Sequence, residues 1–418
     1  MESAAINASN LILINFAIIF VVGAVFAKLA GYLKVPDVVM YLLAGILIGP
    51  PGLNLISIDV NSLINQLVLI LGACILLFHG GIGVSFSILR EVWITLALLA
   101  TLAVFIMVGI VGYTAHIVLG IGLGYAFLLA AILAPTDPAA LVPIFLSVKI
   151  RERLAQTVLS ESAFNDATAA IVTFAVFGII TTGEVSVAGS IIKFLVMACG
   201  GILVGVIYGL AAGYLISDKG KNIFSEYAQV IMLPLIIASY MTAEHFGASG
   251  FMAVFIAGLI FGNLDELGWT MRENHHDEVH SFIHIASLLL RIAIFMLLGS
   301  HVKFSVLSQY LLPGLSIVAV FMFIARPVAV LFCTLPDRKT KWEKNEIIFM
   351  FWTRETGVIP AALTGMLTTA RIENAEVISA IVFLAILATL TIQAATSKWL
   401  ATHLNLMIED NKLDEHLH

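Results

Sequence analysis

Uninterrupted apolar runs of about 20 residues recur along this chain from one end to the other. Coiled as a helix, a run of that length matches the ~30 Å hydrocarbon core of a bilayer. A chain carrying many of them crosses a membrane repeatedly. The composition fits: 60% of the 418 residues are apolar and 11% are charged, against about 25% charged in soluble domains. A soluble globular protein and a disordered chain are excluded. The net charge is −6, so there is no basic surface for nucleic acid. The runs are continuous rather than alternating, which argues against a β-barrel. The expected fold class is an all-α polytopic membrane protein. Cys74, Cys199 and Cys333 each sit alone in an apolar run and read as small buried residues.

Thirteen segments stand out, at approximately 11–33, 36–54, 61–80, 91–115, 121–147, 154–181, 187–215, 225–243, 247–263, 279–300, 309–334, 346–369 and 376–402. The second and ninth are short and glycine-rich. The first lacks a basic leader and reads as a permanent span. Taking every second loop from the one after span 1, together with the tail after span 13, and counting Lys28 and Lys398 near the adjoining span ends, collects 15 lysines and arginines, and the opposite loops carry Lys303 and Arg371. Basic residues concentrate on the cytoplasmic side, so the N-terminus is expected outside and the C-terminus in the cytoplasm. Residues 1–402 form the expected membrane transport domain, and 403–418 a short cytoplasmic tail. The chain has no Walker motif, so no nucleotide partner is expected. A channel, a secondary transporter or an intramembrane enzyme remains.

Charges within spans cost about 2.5–3.5 kcal/mol each on insertion scales and are functional candidates by default. They are Asp137, Glu161, Asp166, Lys193, Arg291, Arg326, Arg354 and Glu355. In span 5, Pro135 and Pro138 bracket Thr136 and Asp137. Each proline lacks an N–H and orphans the carbonyl four residues back, here those of Ala131 and Ala134. Transporters use such broken helices to coordinate cations. In span 6, Ser162 and Asp166 are i, i+4 neighbours, as are Glu161 and Asn165, which makes one polar stripe. A hydroxyl and a carboxylate one turn apart offer the oxygens that a hard monovalent cation wants. Span 12 holds Arg354, Glu355, Thr356 and Gly357 before Pro360, and Pro360 frees the Thr356 carbonyl. A second broken span seven spans after the first has the opposite orientation. Spans 1–6 and 8–13 then read as two inverted six-helix repeats, with span 7 as linker. Arg326, in mid-span 11, needs an acidic partner. Lys193 and Arg291 are expected nearer the interfaces.

These motifs resemble monovalent cation:proton antiporter family 1, the NhaP-type sodium/proton antiporters related to eukaryotic sodium/hydrogen exchangers. The resemblance runs over about residues 11–402. It rests on Leu43–Pro50, on Ala134-Pro135-Thr136-Asp137-Pro138, on Ala243-Glu244 with Ala248-Ser249-Gly250, and above all on Glu161-Ser162-Ala163-Phe164-Asn165-Asp166. It implies that Asp166 carries cation or proton, that Ser162, Thr136 and Asp137 complete the Na⁺ shell, and that Glu161 pairs with Arg326. It implies a homodimer in the cell membrane, no cofactor, and a role in pH homeostasis. Asn165, where some members carry aspartate, implies electroneutral exchange of one cation for one proton. Two departures add candidates. His79 stands where the family commonly has glutamate, and Thr356 stands where it commonly has arginine, with Arg354 and Glu355 shifted upstream.

The expected function is Na⁺ (or Li⁺)/H⁺ antiport by alternating access, with K⁺/H⁺ antiport as the alternative. A buried carboxylate holds a proton more readily than an exposed one, so proton and dehydrated cation compete for the same oxygens. A cation channel would need a continuous lined pore. An intramembrane aspartyl protease would need Asp137 and Asp166 as a dyad, and the sequence lacks the Gly-x-Gly-Asp pattern that would accompany one.

Overall fold

The computed structural model describes residues 2–33, 35–60, 62–136, 150–183, 187–217, 223–269 and 273–407. The chain is all-helical across them. The order is α1 (Glu2–Leu33), α2 (Asp37–Ile48), α3 (Leu63–Ile82), α4 (Phe86–Ala100), α5 (Leu102–Leu119), α6 (Leu123–Leu133), α7 (Glu152–Thr182), α8 (Val187–Ile216), α9 (Ala228–His245), α10 (Gly250–Gly262), α11 (Glu273–Ser300), α12 (Phe304–Gln309), α13 (Leu311–Val320), α14 (Arg326–Thr334), α15 (Lys344–Trp352), α16 (Val358–Thr369), α17 (Ala375–Ala388) and α18 (Ala395–His403). Among the described residues nine helical stretches are long and apolar enough to cross a bilayer. Four shorter apolar helices, in α2, α6, α10 and α16, stand at the short spans 2 and 9 and the interrupted spans 5 and 12. The protein is a multi-pass membrane protein.

The helices pack as two bundles. One gathers α1, α2, α3, α8, α9, α10 and α11; the other gathers α4 to α7 and α13 to α18. At the seam, α7 touches α3, α8 and α10, and α16 touches α3 and α11. The first bundle closes through small residues. A side chain added at Gly258 of α10 would collide with the Phe78 carbonyl of α3, and one added at Gly81 would collide with the Phe255 carbonyl. In lipid, helices associate through such close backbone approach because no hydrophobic drive separates them from their solvent. Backbone cannot yield as a flexible side chain does, so Gly258→Val is expected to lower folded yield sharply, by an overpacking cost of about 1–3 kcal/mol. Size-exclusion of the detergent-solubilised variant checks this.

The basic loops meet on one face. Arg151 pairs with Glu343 at 2.7 Å, and Arg153 donates through Nη2 to both oxygens of Glu346 at 2.8 Å. The Arg151 N–H reaches the Leu406 carbonyl, so the end of α18 lies on the same face. Glu343 and Glu346 also form the capping box that starts α15. On the opposite face Lys303 pairs with Glu376, and Tyr125 donates to Glu373 at 3.1 Å.

Three features depart from uniform helix. Span 4 is interrupted at Thr101, between α4 and α5. Span 11 carries a π-helical turn at Phe321–Ala325, just before Pro327 removes the N–H that the Phe323 carbonyl would receive. Span 13 carries another at Thr389–Ala394.

Candidate functional site

Span 5 ends its first half at Leu133, where Pro135 cannot donate to the Ala131 carbonyl. That carbonyl instead receives the Ala134 N–H at 3.2 Å, tightening the last turn. The Ala134 carbonyl, orphaned by Pro138, accepts from Arg354 Nη2 at 2.5 Å. The chain beyond is non-helical through Thr136. Asp137 lies outside the described residues.

Thr136 is held by α7. Its Oγ1 lies 2.5 Å from Ser162 Oγ, its N–H donates to Asn165 Oδ1 at 3.2 Å, and Asn165 Nδ2 donates back to Thr136 Oγ1 at 3.0 Å. All three residues are buried. Asp166 follows Ser162 by one turn on the same helix face and is 7% exposed, so it does not face lipid. The break of span 5 and the polar stripe of span 6 thus form one buried seam.

Glu161, on the same stripe, receives both ends of the Arg326 guanidinium: Nη1 donates to Oε1, and Nη2 to Oε2 at 2.9 Å. Arg326 is 0% exposed and also donates from Nε to the Met350 carbonyl at 2.9 Å and from Nη2 to that of Thr353 at 3.4 Å. Those carbonyls belong to the C-terminal end of α15, where helices leave acceptors unpaired and the dipole favours a cation.

Span 12 breaks upstream of where Pro360 alone would break it. Helix ends at Trp352, Thr353–Gly357 are non-helical, and helix resumes at Val358. Pro360 sits in the first turn of α16, where a missing N–H leaves no helical carbonyl unpaired. Both half-helix C-termini, of α6 and α15, therefore end on a guanidinium, Arg354 for one and Arg326 for the other. Arg354 also lies over the Phe321 ring at 4.9 Å. Arg354 is itself buried, at 3% exposure. Glu355 is buried in the same non-helical stretch.

His79 is placed elsewhere. Its Nδ1 lies 3.2 Å from Ser287 Oγ and its ring packs edge-on to His284 at 5.7 Å, both on α11. Arg291 stands within the apolar stretch Asp277–Ser300, half-buried.

Two residues escape a search restricted to charges. Thr389, in the π-helical turn of span 13, accepts the Thr356 N–H at 3.1 Å. Gln393 in the same turn is fully buried, and its side-chain oxygen and nitrogen find no partner among the described residues. A glutamine inside a 20-residue apolar run is the signal that would have found it.

A cavity of about 750 Å³ opens on the face of Lys303 and Arg371, between α3 and α11 of one bundle and α16 and α17 of the other. Asp59, Asn65, Thr364 and Thr368 line it, and it extends to Ala361, one turn past the break in span 12.

Residues 16–403 match the family described as "Sodium/hydrogen exchanger, transmembrane". The chain is 32% identical over 378 residues to the "Probable Na(+)/H(+) antiporter 2" of Methanocaldococcus jannaschii, covering 87% of this chain and 86% of that one. It is 28% identical over 402 residues to the "K(+)/H(+) antiporter NhaP" of Alkalimonas amylolytica, covering 94% of this chain and 67% of that one. Its fold is similar to the solved structure of the sodium proton antiporter MjNhaP1 from M. jannaschii at pH 8, with a TM-score of 0.79 at 28% identity, covering 93% of this chain and 97% of that one. The chain belongs to the sodium/hydrogen exchanger family, the NhaP-type monovalent cation:proton antiporters.

Proposed function

We propose that this protein exchanges Na⁺ (or Li⁺) for H⁺ across the cell membrane, one for one, with both ions competing for Asp166. The observation that carries this is the buried junction of Thr136 with Ser162 and Asn165, one helical turn from the Asp166 carboxylate. Hydroxyl, carbonyl and carboxylate oxygens at a broken helix suit a dehydrated alkali cation, and neither ion requires a cofactor. Asp137 completes the proposed shell. An empty, ionised Asp166 costs several kcal/mol in a dry barrier, so the site moves across the membrane loaded with one ion or the other. That requirement is what turns binding into exchange.

The bundle of spans 4–6 and 11–13 is the part proposed to move, and the two-bundle packing supports it because α7 and α16 stand at the seam. Its two broken spans favour the inverted-repeat reading of spans 1–6 and 8–13. The cavity between the bundles serves as the outer approach to the site. Residues 1–402 act as one transport domain, with 403–418 as tail. The face carrying Arg151, Arg153 and Lys344 is taken as cytoplasmic, which places the N-terminus outside. The protein is proposed to work as a homodimer in pH homeostasis.

The relative named as a K⁺/H⁺ antiporter keeps potassium as the second reading, and a single assay separates them. Proteoliposomes holding the full chain and an imposed ΔpH are treated with Na⁺, Li⁺ and K⁺ in turn, with and without an imposed voltage. Na⁺ and Li⁺ are expected to dissipate ΔpH at a rate independent of voltage. Dissipation by K⁺ alone would replace the cation, and voltage dependence would replace the stoichiometry.

A further inference from the structure

A second cavity, of about 350 Å³, lies on the outer flank of the bundle that carries Asp166. Phe323 of span 11, Ile348, Phe351 and Trp352 of α15, and Trp399 and Leu400 of α18 line it. The wall is apolar apart from the Thr396 hydroxyl and the indole N–H groups of Trp352 and Trp399. Thr396, the one hydroxyl among the lining residues, accepts from Trp352 Nε1 at 2.8 Å and donates to the Ile392 carbonyl. Phe323 and Trp399 are 57% and 65% exposed. In a membrane-spanning bundle such an apolar surface meets hydrocarbon.

The two helices that line the groove lead to the basic face, where α15 begins at Lys344 and α18 ends at His403. Lys344 precedes Ile348 by four residues and Phe351 by seven, so it stands on the groove-lining side of α15 at that face. His403 follows Trp399 by four and Leu400 by three, on the groove-lining side of α18, and its ring stacks on Trp399 at 5.4 Å. The nearby acids are engaged elsewhere: Glu343 with Arg151, and Glu346 with Arg153. Lys344 makes no such pair among the described residues and is exposed.

We infer that this groove binds an anionic phospholipid, with one acyl chain along Phe323, Ile348 and Trp399 and the phosphate against Lys344 and His403. Apolar length beside a lysine that pairs with no acid among the described residues is complementary to that ligand. Trp352 ends α15 directly before the break at Thr353, so the bound chain packs on the residue that leads into the crossing.

The test uses the full chain in detergent at pH 7 and reads tryptophan fluorescence. Phosphatidylglycerol and phosphatidylcholine, each with dibrominated chains, are titrated in separately. The quenched component is assigned to the groove by its loss in W352F/W399F. Phosphatidylglycerol is expected to quench at about five-fold lower mole fraction, the preference one lysine near an anionic headgroup supplies. Lys344→Gln is expected to remove that preference while leaving quenching by phosphatidylcholine. Lys398→Gln, on the opposite side of α18, is expected to keep it. Equal quenching by both lipids in the unaltered protein would overturn the proposal. So would a preference that survives Lys344→Gln, or one lost equally in Lys398→Gln, which would mean general surface attraction. Absence of quenching would mean that a second copy of the chain covers the groove, and would overturn it as well.

Discussion

Asp166→Asn is expected to reduce cation-dependent ΔpH dissipation to the level of empty vesicles, with folding intact. The amide keeps the shape of the carboxylate but neither takes up a proton nor offers a full negative charge to a cation. Under the proposed mechanism it fixes the site in a neutral state with nothing to trade. The stitching of span 5 to span 6 runs through Thr136, Ser162 and Asn165, so thermal stability is expected to stay near that of the unaltered protein. This separates loss of function from loss of fold. Asp166→Glu provides the graded case. One added methylene displaces the carboxylate by about 1.5 Å, so exchange survives with a half-saturating Na⁺ concentration raised about ten-fold, equivalent to about 1.4 kcal/mol. Full exchange in Asp166→Asn would remove Asp166 from the mechanism.

The bilayer made much of this legible in the sequence. A charge inside an apolar run is costly enough to stand out singly, which is why Asp166, Glu161, Arg326 and Arg354 could be picked out by position alone. The prolines around Thr136 announced a break because their missing N–H groups leave named carbonyls orphaned. What the orphaned carbonyls do next was not readable. The Ala134 carbonyl takes a guanidinium from a residue 220 positions away, and no local pattern specifies that. The break in span 12 falls at Thr353–Gly357 because backbone and side-chain partners there, the Arg326 guanidinium and the Thr389 hydroxyl, are tertiary. The π-helical turns of spans 11 and 13 were equally hidden, since one extra residue per turn leaves hydrophobicity unchanged. Gln393 was passed over because it carries no charge, although burying its amide is costly in the same way. The sorting of spans into two bundles depends on small residues such as Gly81 and Gly258, whose importance appears only when the facing backbone is seen.

Removing Arg326 is expected to be the most destabilising of the single substitutions at the crossing. A buried ion pair is weak evidence of net stability by itself, because desolvation offsets much of the attraction. Breaking one is different: the partner is left charged, buried and alone, at a cost of about 3–5 kcal/mol. Arg326→Ala strands Glu161 and also withdraws the donors to the Met350 and Thr353 carbonyls at the end of α15. Glu161→Ala leaves the guanidinium with those two carbonyls still to bond, so its cost is smaller. Glu161→Gln keeps an acceptor for one guanidinium nitrogen and is smaller again. The expected order of loss in thermal denaturation of the solubilised full chain is therefore Arg326→Ala, then Glu161→Ala, then Glu161→Gln. A purely local ion pair would instead make the two alanine variants equal, because each would strand one charge. Unequal losses in the stated order would show that Arg326 joins span 6 to the broken end of span 12, where the proposed site takes its shape. Unchanged stability in both alanine variants would mean that the crossing is held by something other than this guanidinium.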